Sequence, residues 1–483
     1  MRRRPALLIG AATVAPVAWL QRNFAGPPDE KRLAPGSSVI VVGAGVVGVA
    51  TAHELSRRGY RVRVLEQGKV VCGQQSASWG NAGTLGRTNR TVPLSSTPFK
   101  IVEALLRSSR APTPQSGAGV YFNWLTLRDP YFWLWGLTYL RASLGSAITD
   151  HLADHWKELN AASQRATFEV AELEGLTMEA DLRIDGRTAI RSVAVSDGPV
   201  LSPPSTTLSE REPRVSCNAA EVSVSAGDGQ GSCEAFTVGL ARACAEKYFA
   251  RFEVGVDVSE LLLDAHGRCT GVRVHRQGDA DGATEEMHAE AVVLCAGASV
   301  APLAATARLY VPVQPLRGYS LTARVPPSAK PSIVAHMTFA PSHLYATRLG
   351  DTLRFTCFGE MYPVQRDGPG VPTTALAAAL RELVELEVSN VAELCDWSDA
   401  VEWHGSRPLS PDCQPLTGAT RVPGLYINVG HSFNGWREAV LSARCLGERL
   451  GGRSSNDEAT AVLACAARAY SPQRFQPSYA VSS

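Results

Sequence analysis

Three glycines in Gly43-Ala44-Gly45-Val46-Val47-Gly48 have the spacing at which a backbone can press against a pyrophosphate. Glycine at 43 permits a tight turn out of a strand. At 45 it lets the chain approach the phosphates, and at 48 it lets a following helix pack closely on a sheet. No lysine is needed, because free amides and the dipole at a helix start favour an anion. Glu66 follows about 20 residues on, with Gln67 beside it, where a carboxylate can accept both hydroxyls of an adenosine ribose. The pattern alone leaves FAD and NAD open, while Glu66 would repel the 2′-phosphate of NADP.

These residues need a βαβ unit to hold them. Val39 to Val42 is a β-branched run entering the glycine turn, helical spacing continues through Leu55, and Val62 to Leu65 is a second apolar strand. Asp150 to Leu173, Thr374 to Val388 and Trp436 to Leu450 carry helical spacing. Phe252 to His275 and Leu344 to Gly359 alternate as strands joined by hairpin turns. The aromatic stretch Val120 to Leu140, broken by Arg128, Asp129 and Pro130, reads as helices of a second domain or as a membrane-touching surface.

The chain of 483 residues is long enough for two or three domains. A net charge of +1 provides no basic field for a phosphate backbone, which excludes nucleic acid as a partner. Eleven scattered cysteines without a C-x-x-C pair read as free thiols and suggest no metal site. Arg2, Arg3 and Arg4 precede an uncharged run from Pro5 to Leu20, and no acid appears before Asp29. That run is shorter than the roughly 20 residues of a spanning helix. Residues 1–36 are therefore expected to be a targeting or anchoring segment and linker, with mitochondrial or membrane-associated placement.

Beyond Glu66, the loop Ser76-Ala77-Ser78-Trp79-Gly80-Asn81-Ala82-Gly83 resembles the Asn-Ala-Gly loop of the D-amino-acid dehydrogenases, in the D-amino-acid oxidase and glycine oxidase superfamily. Further blocks follow in the family's order: Gly231 to Phe236, Ala296-Gly297, Pro315 to Ser320, Arg407 to Asp412, and Gly430 to Trp436. The resemblance spans roughly Val39 to Leu450 and favours FAD. It implies an α/β protein with a discontinuous Rossmann-type FAD-binding domain (37–90, 216–312 and 406–455). An α+β substrate domain with a mixed or antiparallel sheet (91–215 and 313–405) and a C-terminal tail (456–483) complete the expected organisation. Two departures stand out: Ser232 replaces a usual aspartate, and Trp403-His404-Gly405-Ser406-Arg407 varies a Trp-x-Gly-Leu-Arg motif.

The implied reaction is oxidation of an amino acid's C–N bond by hydride transfer to flavin N5, giving an imino acid that hydrolyses to a 2-oxo acid and ammonia. Arg407 is the expected carboxylate anchor, since a guanidinium grips a carboxylate through two parallel bonds. Arg317 is the alternative, and Tyr319 could add its hydroxyl. His431 is a candidate proton acceptor for the substrate ammonium, with His404 in similar standing. FAD would lie, non-covalently, against Gly43, Ala44, Gly45, Val46, Val47, Gly48, Glu66, Gln67, Ser76, Asn81, Ala82, Gly83, Ala296, Gly297, Gly430, His431, Gly435 and Trp436. A quinone or another carrier would take the electrons, with peripheral membrane association. An oxidase of amines, glycine or sarcosine using oxygen and a non-catalytic flavoprotein assembly factor are the alternatives.

Overall fold

The computed structural model describes residues 32–87, 120–122, 124–143, 147–192, 208, 211–217, 219–279, 283–328, 336–364, 374–451 and 457–475. Most of the N-terminal segment, residues 1–31, lies outside them, so its targeting or anchoring role is not addressed by the fold. No helix among the described residues is long and apolar enough to cross a membrane.

A six-stranded sheet runs in the order Leu416–Ala419, Leu425–Val429, Ala291–Leu294, Ser38–Val42, Arg61–Glu66, Arg251–Val254. Its pairings are parallel except for the first, which is antiparallel. The central strand explains its own unbroken apolar run. Val39 and Val41 face a core shared with Leu55, Leu240 and Leu446, whereas Ile40 and Val42 face Val272, Val274 and Leu303. A strand covered on both sides has no polar face to show. The first core is roofed by helices Val46–Arg57, Cys233–Tyr248 and Gly435–Gly451, the second by the antiparallel sheet Val256–Leu263, Cys269–Arg276 and Glu285–His288.

The eight-stranded sheet is mixed and largely antiparallel. Its order is Asp396–Leu409, Gln314–Arg324, Thr352–Met361, Leu344–Leu349, His336–Ala340, Arg187–Ser192, Ala219–Ser225, with Val120–Phe122 pairing Thr352–Met361. One face packs Leu321, Phe339 and Phe355 against Leu380, Leu383 and Val384 of helix Thr374–Glu387. Each such fully buried side chain stabilises the fold by about 1.5–3 kcal/mol.

Three elements depart from the expected segment limits. Ala219–Ser225, inside the 216–312 segment, pairs antiparallel with Arg187–Ser192 and so belongs to the eight-stranded sheet. Helix Ala147–Glu174, inside the 91–215 segment, places Val170 and Ala171 in the same core as Val39 and Leu446. The segment 456–483 is no mere tail, because helix Asp457–Ala469 buries Ala466 and Ala469 against Leu441 and Cys445. The chain passes between the two sheets more often than short-range patterns reveal.

Candidate active site

A cavity of about 1920 Å³ runs between the two sheets, from the first glycine turn to the strand carrying Arg407. Gly43, at φ +103°, turns the chain out of its strand, and a Cβ there would stand 2.7 Å from the Cys295 carbonyl oxygen. At Gly48 a Cβ would meet the Gly43 oxygen at 1.9 Å, so only glycine lets the helix sit so close. Helix Val46–Arg57 starts at Gly45 with no side-chain cap and no acid in its first turn, leaving its positive end for an anion. Ser78 Oγ accepts the Val46 N–H at 3.0 Å, which draws the loop containing Ser76 over this turn.

Glu66 closes its strand with both oxygens engaged: Oε2 accepts the Ala44 N–H at 2.7 Å and Oε1 the Gly68 N–H at 2.8 Å. Each carboxylate oxygen keeps acceptor capacity for a ribose hydroxyl. Gln67, Val47, Ala82, Ala296 and Gly297 line the same cavity. Asn81 Oδ1 accepts the Gly83 N–H at 2.9 Å, an Asx turn that sets Gly83 at φ +69°. Three expected cofactor residues do not line the cavity. The Ala44 amide is taken by Glu66, Gly48 is sealed against Gly43, and Gly430 turns the chain at φ +75°.

At the far end, strand Leu425–Val429 passes through Gly430 into helix Gly435–Gly451. His431 and Trp436 line the cavity here, and His431 Nδ1 and Trp436 Nε1 are buried without a hydrogen-bond partner. Buried polar atoms are ordinarily paired, so these two mark where a polar ligand edge belongs. The glycine cradle, the acid-free helix start, the Glu66 carboxylate and these orphaned nitrogens fit a flavin dinucleotide.

The surroundings of His431 argue against its acting as a base. His431 Nε2 lies 2.9 Å from Ser442 Oγ, and Ser442 donates its own proton to the Ala439 carbonyl. Nε2 therefore carries the hydrogen. Burial pushes the imidazole down to about 3, so it does not hold a proton near neutral pH.

Arg407 lies in the wall formed by strand Asp396–Leu409. Its Nη1 donates to the Phe358 carbonyl at 3.2 Å, and its guanidinium carbon stands 5.7 Å from the Phe433 ring centroid. No carboxylate pairs with it among the described residues, which leaves the cation available to the cavity. Arg317 is different. It is 1% exposed, stacks on Tyr362 at 3.9 Å and lies 3.7 Å from Glu360 Oε2. Tyr319 donates to the same Glu360 oxygen at 2.7 Å, so that hydroxyl proton is already engaged. His404 packs 6.3 Å from the Tyr319 ring, with burial and then Arg317 lowering its pKa.

Tyr345 was not singled out from the sequence. It lines the cavity, and burial raises its phenol while Arg187 and Arg407 oppose the rise. Only alternation in the segment Leu344–Leu349 could have pointed to it, because its nearness to Arg407 arises in the folded chain and not along the sequence. Ser232, the departure from aspartate, caps helix Cys233–Tyr248 by accepting the Ala235 N–H at 3.1 Å. Serine and aspartate are both favoured helix caps, so this departure keeps the helix start capped.

The family model described as FAD dependent oxidoreductase, DAO, matches residues 38–449. The D-amino acid dehydrogenase of Cereibacter sphaeroides (strain ATCC 17029 / ATH 2.4.9) is 30% identical over 87% of this chain and 93% of its own length. That of Methylobacterium sp. (strain 4-46) is 30% identical over 86% and 95%. Among solved structures, glycine oxidase from Geobacillus kaustophilus superposes with a TM-score of 0.58 at 21% identity, covering 87% of this chain and 96% of that one. L-amino acid deaminase from Proteus vulgaris reaches 0.59 at 16% identity, covering 93% and 100%. These two structures share the fold.

Proposed function

The chain belongs to the DAO family of FAD-dependent oxidoreductases, and we propose that it oxidises the C–N bond of an amino acid, D-amino acids foremost, with Arg407 gripping the carboxylate. The observation that carries this reading is the Arg407 guanidinium, which lines the cavity opposite the dinucleotide cradle without an acidic partner among the described residues. Bound FAD supplies the hydride acceptor, N5 of its ring.

The protein's own share is positioning. Arg407 fixes the carboxylate by two parallel bonds, and the Tyr345 phenol stands ready to add a third. The α-carbon is thereby held between the strand and the Gly430 to Trp436 loop. His431 stays neutral, so the ammonium loses its proton to water before the C–H bond breaks. The start of helix Gly435–Gly451, which lines the cavity at Gly435 and Trp436, would lie at the flavin end of a bound FAD and would favour the charge that arrives with the hydride. The imino acid then takes up water and separates into a 2-oxo acid and ammonia.

Titration under argon tests the reading. A D-amino-acid mixture should bleach the visible flavin band; bleaching only by an L-mixture, or by glycine or sarcosine, would reassign the substrate. A yellow protein that none of them bleaches would overturn the catalytic reading and favour the assembly-factor role.

The electron acceptor we infer is a quinone or similar apolar carrier met at a membrane surface. Trp133, Leu137 and Leu140 line the cavity yet are 55%, 49% and 37% exposed, spaced along one face of helix Pro130–Ser143. That face would let an apolar molecule enter directly from lipid. Stoichiometric hydrogen peroxide during turnover would instead make oxygen the acceptor.

A further inference from the structure

Beneath Arg407 the eight-stranded sheet is irregular. Arg317 pairs with Glu360 and Tyr319 with Cys357, so Phe358 and Gly359 together stand opposite the single residue Gly318. Two residues facing one make a β-bulge, a device that re-aims groups beside active sites. Phe358 takes a left-handed conformation, φ +60°, and its carbonyl accepts from Arg407 Nη1.

Gly318 completes the seat. A Cβ there would stand 2.4 Å from Arg407 Nη2, 2.5 Å from Cζ and 2.6 Å from Nη1, so the guanidinium lies flat on the glycine backbone. Gly318 has no positive φ, and its strand pairs on both sides. Its conformation would suit any residue; only the space requires glycine. Phe433, 5.7 Å from the guanidinium carbon, supplies a further wall.

We infer that Gly318, with the Phe358 bulge, is a positioning residue that sets carboxylate affinity by fixing the plane of the Arg407 guanidinium. This rests on Arg407 being the carboxylate anchor. A methyl at 318 meets the end of a flexible side chain rather than backbone, so the guanidinium swings away while the sheet remains. Turned from its plane, it keeps its charge but cannot offer two parallel bonds to one carboxylate.

The test is calorimetric titration of the FAD-loaded protein with benzoate, using benzamide as the uncharged control. The variants are Gly318→Ala, Arg407→Ala and the double substitution. Gly318→Ala is expected to weaken benzoate about tenfold or more while leaving benzamide unchanged, and to have no further effect once Arg407 is alanine. Weakening by Arg407→Ala alone, or equal weakening by Gly318→Ala in both backgrounds, overturns the positioning role and leaves the anchor standing. Unchanged binding in Arg407→Ala overturns the anchor itself. Should Gly318→Ala fail to fold, rescue by Arg407→Ala supports the inference, because the clash is then with the guanidinium. Failure of both overturns it.

Discussion

Burial lowers the Arg407 guanidinium from its ordinary value, yet arginine's basicity keeps it charged, and no carboxylate pairs with it among the described residues. A cation so placed would be open to a substrate carboxylate. Arg407→Lys keeps the charge and loses the fork, and it should lower kcat/KM for an amino acid by about 10- to 100-fold, read from steady-state kinetics. His431 and His336 make the opposite case. Burial holds them at about 3 and about 4, below the ordinary 6.5. Unfolding lets each take up a proton, so acid favours the unfolded chain from about pH 6.5 downward. Glu438 opposes them, its buried carboxyl being raised from 4.5 to about 7, so its contribution favours the folded chain in acid and is lost as pH rises through 7. Between pH 4.5 and 6.5 the two histidines run against the one carboxyl, so together they make acidification destabilising. His336→Asn should make stability less sensitive to acid, measured by urea unfolding at pH 6.5 and 5.

At the scale of elements, glycines and caps decide how close the helices come to the six-stranded sheet. Gly48→Ala would drive a methyl into the Gly43 carbonyl and push helix Val46–Arg57 off the strand, so the purified protein should be colourless. Retention of the flavin spectrum would show that the helix can shift without losing the cofactor. Ser232 offers a milder test. Ser232→Ala removes the bond to the Ala235 amide and should lower stability by about 1 kcal/mol, whereas Ser232→Asp should leave it nearly unchanged. The indole of Trp403 joins the two halves more tightly than any pattern announces. Its Nε1 donates to the Gln74 carbonyl at 2.6 Å, and a Cβ at either Gly80 or Gly405 would stand 2.2 Å from the ring.

For the whole molecule, the cavity is walled by both sheets, so FAD and substrate bound there would lie between parts of the chain that pack into separate cores. A cofactor that binds only the folded chain stabilises it by mass action, about 2.7 kcal/mol at a concentration 100 times its Kd. Added FAD should accordingly raise the melting temperature of the stripped protein in a concentration-dependent way. Acid precipitation should release all of the yellow colour into the supernatant, as expected of non-covalent binding. Colour retained in the pellet would reveal a covalent link.

The sequence by itself determined the parts that depend on neighbours along the chain. The turn at Gly43 to Gly48, the strand ending in Glu66 and the helix beginning near Trp436 are each written within a few residues, since backbone conformation and helix-end electrostatics are local. Order among the later blocks was legible too, and with it the family. Tertiary structure alone decided which polar groups remain available. Arg317 and Tyr319 stand two residues apart in a promising motif, yet both turn to Glu360, while Arg407 and Tyr345, far apart in sequence, line one cavity only in the folded chain. His431 had the right residue type for a base, but its burial lowers the imidazole's affinity for a proton. Desolvation and pairing are properties of what surrounds a side chain in space, and that surrounding is assembled from segments hundreds of residues apart.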